Sequence, residues 1–174
     1  MSEPSQKITL EFLSFSDYEE LIAAMIEAYH NMPDSYWKES QMNNLLKKFP
    51  KGQVVIKVNG KIAGCALSII VDSQQFDDQH TYKEITGNYT FNTHNENGDV
   101  LYGIDIFIKP EFRGLRLGRR LYDYRKELCE NLNLRAIYIG GRIPNYHKFA
   151  DEITPKVYIQ KVRTHEIHDP VLNY

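Results

Sequence analysis

The sequence predicts an α/β (α+β) protein whose sheet is mixed, with an antiparallel hairpin and a parallel strand pair, packed with amphipathic helices. Three observations carry that expectation. Two β-branched runs, 53–58 and 62–71, are joined by Asn59-Gly60, a pair that tolerates the positive φ angles of a two-residue hairpin turn. An alternating run at 99–108, a helical pattern over 117–132 and an apolar run at 134–139 follow one another. Strand, helix and strand in that order imply a parallel pair joined by a right-handed crossover. Finally, Leu21, Ile22, Met25, Ile26 and Tyr29 recur at helical spacing, which predicts a second amphipathic helix over 17–30.

The elements follow in order. Residues 7–13 form a short β-branched segment, the expected first strand. Ser16 offers an N-cap to the helix at 17–30, with Glu19 three residues on to complete a capping box. Residues 31–35 break that helix. Met42, Leu45, Leu46 and Phe49 then give a shorter helix over 40–49. The link between the two helices gathers Tyr29, Tyr36 and Trp37. These aromatics have two readings, core and rim packing or the wall of a substrate pocket.

Within the hairpin, Gly64 marks a bulge or a close backbone approach. Residues 72–98 form a long polar stretch in which 82–86 suits a short helix or strand, and loops of that length are often functional. Its acidic residues Asp72, Asp77, Asp78 and Glu84 either attract a cationic amine or simply face solvent. Strict alternation in the next strand sets Leu101, Gly103, Asp105 and Phe107 on one side. Tyr102, Ile104, Ile106 and Ile108 then take the other.

Pro110 ends that strand. A turn with Gly114 leads, after Gly118, into a helix whose apolar face is Leu117, Leu121, Tyr124, Leu128 and Leu132, with Cys129 beside it in a structural role. Gly140-Gly141 closes the strand that follows. Thr154 and Pro155 cap a last helix over 155–165. Residues 169–174 begin a further strand.

The stretch 99–121 concentrates the chemistry. Arg113, Arg116, Arg119 and Arg120 surround a glycine-containing turn at a helix start, where free N–H groups and the helix dipole favour an anionic phosphate. The chain has 174 residues and a net charge of -2, which argues against a general nucleic-acid binder and for a small anion. No Lys-Ser/Thr of a P-loop and no GxGxxG fingerprint is present, which disfavours ATP and dinucleotides. Asp105 sits within an apolar strand. Desolvation would raise its pKa toward that of a general base, while a structural hydrogen-bonding role fits equally.

Arg113-Gly114-Leu115-Arg116-Leu117-Gly118, after a strand ending Ile106-Phe107-Ile108-Lys109-Pro110, resembles motif A of the GNAT superfamily of acetyl-CoA-dependent N-acetyltransferases. That motif reads Q/R-x-x-G-x-G/A. Arg113 and Gly118 match its ends, and Arg116 replaces its middle glycine. The resemblance implies a three-layer fold, a central mixed, largely antiparallel sheet with a splayed parallel strand pair and helices on both faces, and one acetyl-CoA-binding domain over 1–174.

It also implies that Ile106, Phe107 and Ile108 line the pantetheine arm, with Ile106 and Ile108 pairing to it like an added strand. Amides from Leu115 to Arg119 would hold the diphosphate, next to Arg113 and Gly114. Asp105 would act as the base on a primary amine, a small molecule or a protein. Tyr158 or Tyr146 would protonate the leaving thiolate. The acceptor is not named by the resemblance; the aromatic link of Tyr29, Tyr36 and Trp37 and the loop 72–98 are the places the residues themselves offer for it.

A narrower resemblance, from Asp99 to the end, is to the acetyltransferase domain that precedes a carbon–nitrogen hydrolase in bacterial bifunctional proteins. It suggests an incomplete final strand and a hydrolase domain or a second copy as partner. It also leaves a non-catalytic CoA-binding domain as the rival reading.

The remaining signals are expectations of absence. His165-x-x-His168 lacks a third metal ligand. No 18-residue apolar span or signal-peptide core is seen, and Cys65 and Cys129 lack metal or redox spacing. A cytoplasmic home, with no membrane and no nucleic acid, follows.

Overall fold

The computed structural model describes residues 6–32, 36–76 and 79–172. Two compact units divide the chain at Ile139 and Gly140. The first holds a five-stranded sheet in the order β1 (Ile8–Phe12), β2 (Gln53–Val58), β3 (Lys61–Val71), β4 (Val100–Ile108) and β5 (Ala136–Ile139). Strands β1 to β4 are antiparallel neighbours, and β4 and β5 are parallel.

Helices α1 (Tyr18–Ala28) and α2 (Glu39–Lys48) cover one face. Their Leu21, Met25, Met42 and Leu45 pack with Val55, Cys65, Leu67 and Ile69. Each such buried side chain contributes about 1.5–3 kcal/mol. Helix α4 (Leu117–Asn131) covers the other face. Its Leu117 and Leu121 meet Val54, Ile56 and Ala66, and its Leu128 and Cys129 meet Ile70 and Leu101.

The hairpin forms where Asn59-Gly60 places it. Both residues take positive φ, 51° and 82°, as a mirror-image turn requires. The capping box ahead of α1 lies two residues earlier than expected, and α1 itself starts at Tyr18. Asp17, not Glu19, reaches back to accept from the Ser14 N–H and hydroxyl, and residues 15–17 form a 3-10 turn. In 72–98 the expected short helix is α3 (Tyr82–Ile85), and Ile85 and Phe91 enter the main core. The acidic residues there cap turns: Glu84 accepts from the Thr81 N–H and hydroxyl, and Asp72 from the Gln74 N–H. Asp77 and Asp78 lie outside the described residues, as do 33–35 of the expected break after α1.

Strict alternation fails in β4. Leu67 pairs with Asp105 and Ser68 with Gly103, so Ile104 is an extra residue, a β-bulge. Beyond it the pleat changes phase. Asp105 and Phe107 join Tyr102 and Ile104 on the α1 face, while Leu101, Ile106 and Ile108 face α4. A second bulge leaves Ala63 unpaired against β2. Gly64 beside it meets both readings made of it, because a side chain there would collide with the Phe107 carbonyl oxygen.

The second unit holds a 3-10 turn (Pro144–Lys148) and α5 (Pro155–Arg163), whose cap is Thr154. The strand expected from Asp169 is not formed over 169–172. Asp169 instead accepts from the Val171 and Leu172 N–H groups and bends the chain into a turn. The expected strand's last residues, 173–174, lie outside the described ones.

Gly64→Ala is expected to destabilise the chain by about 1–3 kcal/mol through overpacking against β4. Urea unfolding of the two proteins checks it; equal midpoints would refute the close approach.

Candidate functional site

Asp105 is the centre of the first unit's polar geometry. The bulge turns its side chain among the buried residues of the α1 face. Tyr29, at the C-cap of α1, donates its hydroxyl to Oδ1 at 2.5 Å, and Trp37 Nε1 donates to Oδ2 at 3.2 Å. Tyr29 is oriented edge-on by Phe107, and Trp37 by Phe91. Burial pushes the Asp105 carboxyl above the usual carboxylate range. Tyr29, Trp37, the Ile106 N–H and the Arg125 charge oppose that shift without cancelling it. Tyr36, expected with these aromatics, stays exposed at the surface.

The bulge has its own support. Tyr82 of α3 donates to the Ile104 carbonyl at 2.7 Å. Arg125 of α4, only 1% exposed, donates through Nη2 to the Leu67 and Asp105 carbonyls at 2.8 and 2.5 Å, and through Nε to Ser68 Oγ at 3.2 Å. On the far side of β3, the Gln53 amide bonds both the N–H and the carbonyl of Ser68. Carbonyls that the irregular ladder leaves short of partners are thus satisfied by side chains.

Beyond the bulge β4 loses its parallel neighbour. Gly103 and Ile139 form the last paired rung, and no described strand flanks Ile104–Ile108 on that side. The Lys109 N–H donates to Ala63 at 2.8 Å, which fixes the phase: Phe107 turns its backbone toward β3, and Ile106 and Ile108 toward the open edge.

That edge leads to the turn before α4. Gly114 (φ 89°) and Arg116 (φ 56°) both take the left-handed conformation. Arg116 therefore holds a conformation that a glycine adopts freely, at a cost of about 1–2 kcal/mol for a residue with a Cβ. No N–H from Gly114 to Arg119 has an acceptor among the described residues, and α4 has no side-chain cap. Arg113, Arg116, Arg119 and Arg120 are exposed, without a carboxylate in ion-pair reach among those residues. An uncapped helix start among four arginines that lack a carboxylate partner, one of them (Arg113) donating Nε to the Ile108 carbonyl at 3.4 Å, suits a diphosphate.

A family model described as "Acetyltransferase (GNAT) family" matches residues 18–149. The chain belongs to that family. This GNAT chain is 36% identical over 169 residues to a "Probable hydrolase YhcX" of Bacillus subtilis, covering 97% of itself but 33% of that protein. It thus spans about a third of that relative's length. It is 31% identical over 171 residues to an "Uncharacterized N-acetyltransferase YkwB" of the same organism, covering 97% of itself and 76% of that protein. Among solved structures, the loading GNATL domain of CurA from Lyngbya majuscula matches 94% of this chain and 79% of its own, with a TM-score of 0.78 and 22% identity. That likeness bears on the fold: a mixed sheet whose parallel pair is β4 and β5.

In the second unit of the GNAT chain, Tyr158 is fully buried and donates to Asp169 Oδ2 at 2.7 Å. Burial, then the Asp169 carboxylate, push its hydroxyl up to about 12. Tyr146 stacks edge-on against Tyr158, with centroids 5.4 Å apart, and donates to the Ile153 carbonyl at 2.9 Å. The described residues hold no cluster of three metal-ligating side chains, and no helix is long and apolar enough to cross a membrane.

The sequence reading passed over Arg125, Tyr82 and Ser68. Two signals point to them: an arginine within the Leu121, Leu128 and Leu132 stripe, and a serine within an apolar strand run.

The raised Asp105 pKa has a stability consequence. Its protonated form fits the native site better, so that stabilisation is fully present below the unfolded-state pKa and is lost as pH rises through the native one. Asp105→Asn is accordingly expected to raise the melting temperature at pH 8, with the gain shrinking toward pH 4. A melting temperature lowered at pH 8 would contradict the assignment.

Proposed function

We propose that this domain moves an acyl group, acetyl in the simplest case, from CoA to a primary amine by direct attack. Membership of the family supports acyl transfer from CoA to an acceptor; the acetyl group, the amine and the residue roles are this proposal's own. One observation carries it. The open edge of β4 runs from a half-buried carboxylate at the bulge to an unpartnered, arginine-ringed helix start. An extended arm with a diphosphate at one end and a thioester at the other fits that track.

On this reading the Leu115–Arg119 amides hold the diphosphate, aided by Arg113 and Gly114, and Ile106 and Ile108 pair with the pantetheine amides across from Phe107. Asp105, oriented by Tyr29 and Trp37, takes the proton of the acceptor ammonium. Two neutral donors hold the carboxylate in place while burial keeps it basic enough to accept that proton. The freed amine adds to the thioester carbon, and the CoA thiolate leaves. Tyr36, at the surface end of the aromatic link, contributes to the acceptor's entrance.

Tyr158 or Tyr146 would return a proton to the thiolate. A hydroxyl at about 12, bonded to a carboxylate, makes Tyr158 a weak acid for this step. That observation favours the rival reading, in which the domain binds acyl-CoA without turnover and serves a carbon–nitrogen hydrolase domain or a second copy of itself. The third of the probable hydrolase that the chain covers gives the fused arrangement its support. Both readings treat 1–174 as one acyl-CoA-binding domain, working in the cytoplasm without metal, nucleic acid or membrane.

Thiol release from acetyl-CoA, assayed over a panel of primary amines and polyamines, separates the two. Turnover is expected with at least one amine, and Asp105→Asn is expected to lower it about 10²–10⁴-fold with CoA affinity unchanged. Binding of CoA with no turnover for any amine would establish the non-catalytic domain.

Gly118→Glu, which sets a carboxylate among the diphosphate donors, is expected to weaken CoA binding by at least about tenfold in calorimetry. An unchanged affinity would move the diphosphate elsewhere.

The pH–rate profile should fall on the acid side as Asp105 becomes protonated. Its midpoint should lie above that of an ordinary aspartate, with Tyr29, Cys65 and Arg125 the titratable groups around it. A midpoint at or below the ordinary value would remove Asp105 from the role of base.

A further inference from the structure

Arg125 is the only buried basic residue among those described. Three hydrogen bonds tie its Nη2 and Nε groups to the bulge, but Nη1 has no acceptor. No carboxylate lies within ion-pair reach of it among the described residues, and a guanidinium stays protonated even where burial lowers its pKa. Buried donors in native structures have partners, so an orphan held this rigidly points to a partner that arrives with a ligand.

Its position says which part of the ligand. The guanidinium lies over Gly103, where an added Cβ would sit 2.9 Å from Nη1. Gly103 is also the last β4 residue paired to β5, the point at which the open edge begins. Along α4, Arg125 is about 12 Å from Leu117 at the helix start. An arm anchored by its diphosphate at that start and lying along β4 would bring its far end, the thioester, to Gly103.

We propose that the Nη1 N–H of Arg125 donates to the carbonyl oxygen of the bound acyl thioester and holds the charge that develops there. This rests on the acyl-CoA reading above and adds a residue to it. As the amine nitrogen bonds to the carbonyl carbon, the C=O π pair moves onto the oxygen, facing a cation already fixed in place. When that pair returns, the C–S bond breaks and its electrons leave on the CoA thiolate; one ammonium proton has passed to Asp105, and the second, shed by the adduct nitrogen as it becomes an amide, goes to the thiolate. The bonds to Leu67, Ser68 and Asp105 make the donor preorganised, so little reorganisation is needed as charge builds.

The test uses acetyl-CoA isotope-labelled at the thioester carbonyl, read by carbon NMR on the full chain without an acceptor. The carbonyl resonance is expected to move downfield on binding to the wild type and to stay near its free position on Arg125→Gln, with the affinity for unacylated CoA kept within about twofold. The same movement in both proteins, or none in the wild type, overturns the proposal. Failure of CoA itself to bind the wild type would instead sink the acyl-CoA reading beneath it. Should Arg125→Gln not fold, the wild type still decides. S-ethyl-CoA, which lacks the carbonyl, must bind at least about tenfold more weakly than acetyl-CoA, as loss of a charge-assisted bond requires. Equal affinities overturn it.

Discussion

Antiparallel pairing between β3 and β4 runs from Val71 to Gly64 with one interruption, where Ile104 has no counterpart between Ser68 and Leu67. An uninterrupted ladder would turn Asp105 toward α4, away from Tyr29 and Trp37. It would also leave Arg125 without the carbonyls it binds. The extra residue turns the carboxylate to the α1 face and exposes backbone groups that Arg125 and Tyr82 collect. Three elements far apart in sequence, α1, α3 and α4, thus converge on one irregular rung. Their bonds in turn make the irregularity affordable inside a buried sheet.

Much of this fold is legible locally. The Asn59-Gly60 turn, the α4 stripe and the strand–helix–strand order each rest on neighbours in sequence, and each forms where its residues place it. The capping box ahead of α1 forms at Ser14 and Asp17 and not at Ser16 and Glu19, because both pairs have the same spacing and only the hydrogen bonds choose between them. The alternation in β4 was misread for a different reason. A bulge is a relation between two strands, and nothing within 100–108 reveals which of these residues lacks a mate on β3. Asp169 offers a third lesson: its carboxylate competes for the N–H groups a strand would need, and it wins.

The candidate site divides in the same way. Its phosphate end is written in contiguous residues, Arg113 to Arg119, so the sequence displays it whole. Its reactive end is assembled from Tyr29, Trp37, Asp105 and Arg125, residues the chain brings together only through the sheet. Asp105 was visible as a carboxylate in an apolar strand, and Tyr29 and Trp37 as a local aromatic excess. That they meet on one carboxylate is a tertiary fact. Arg116 is intermediate: its departure from glycine is plain in the sequence, but that it takes a left-handed backbone is not.

Trp37 is the chain's single tryptophan, and its indole N–H is bonded to Asp105. Excited at the red edge, where tyrosine does not absorb, the protein therefore fluoresces from one ring touching the residue of greatest chemical interest. Protonation of that carboxylate, or a cation drawn up to it, alters the field across the indole and with it the colour of the emitted light. The molecule carries a built-in optical gauge of its own site, needing no label and no knowledge of the acceptor.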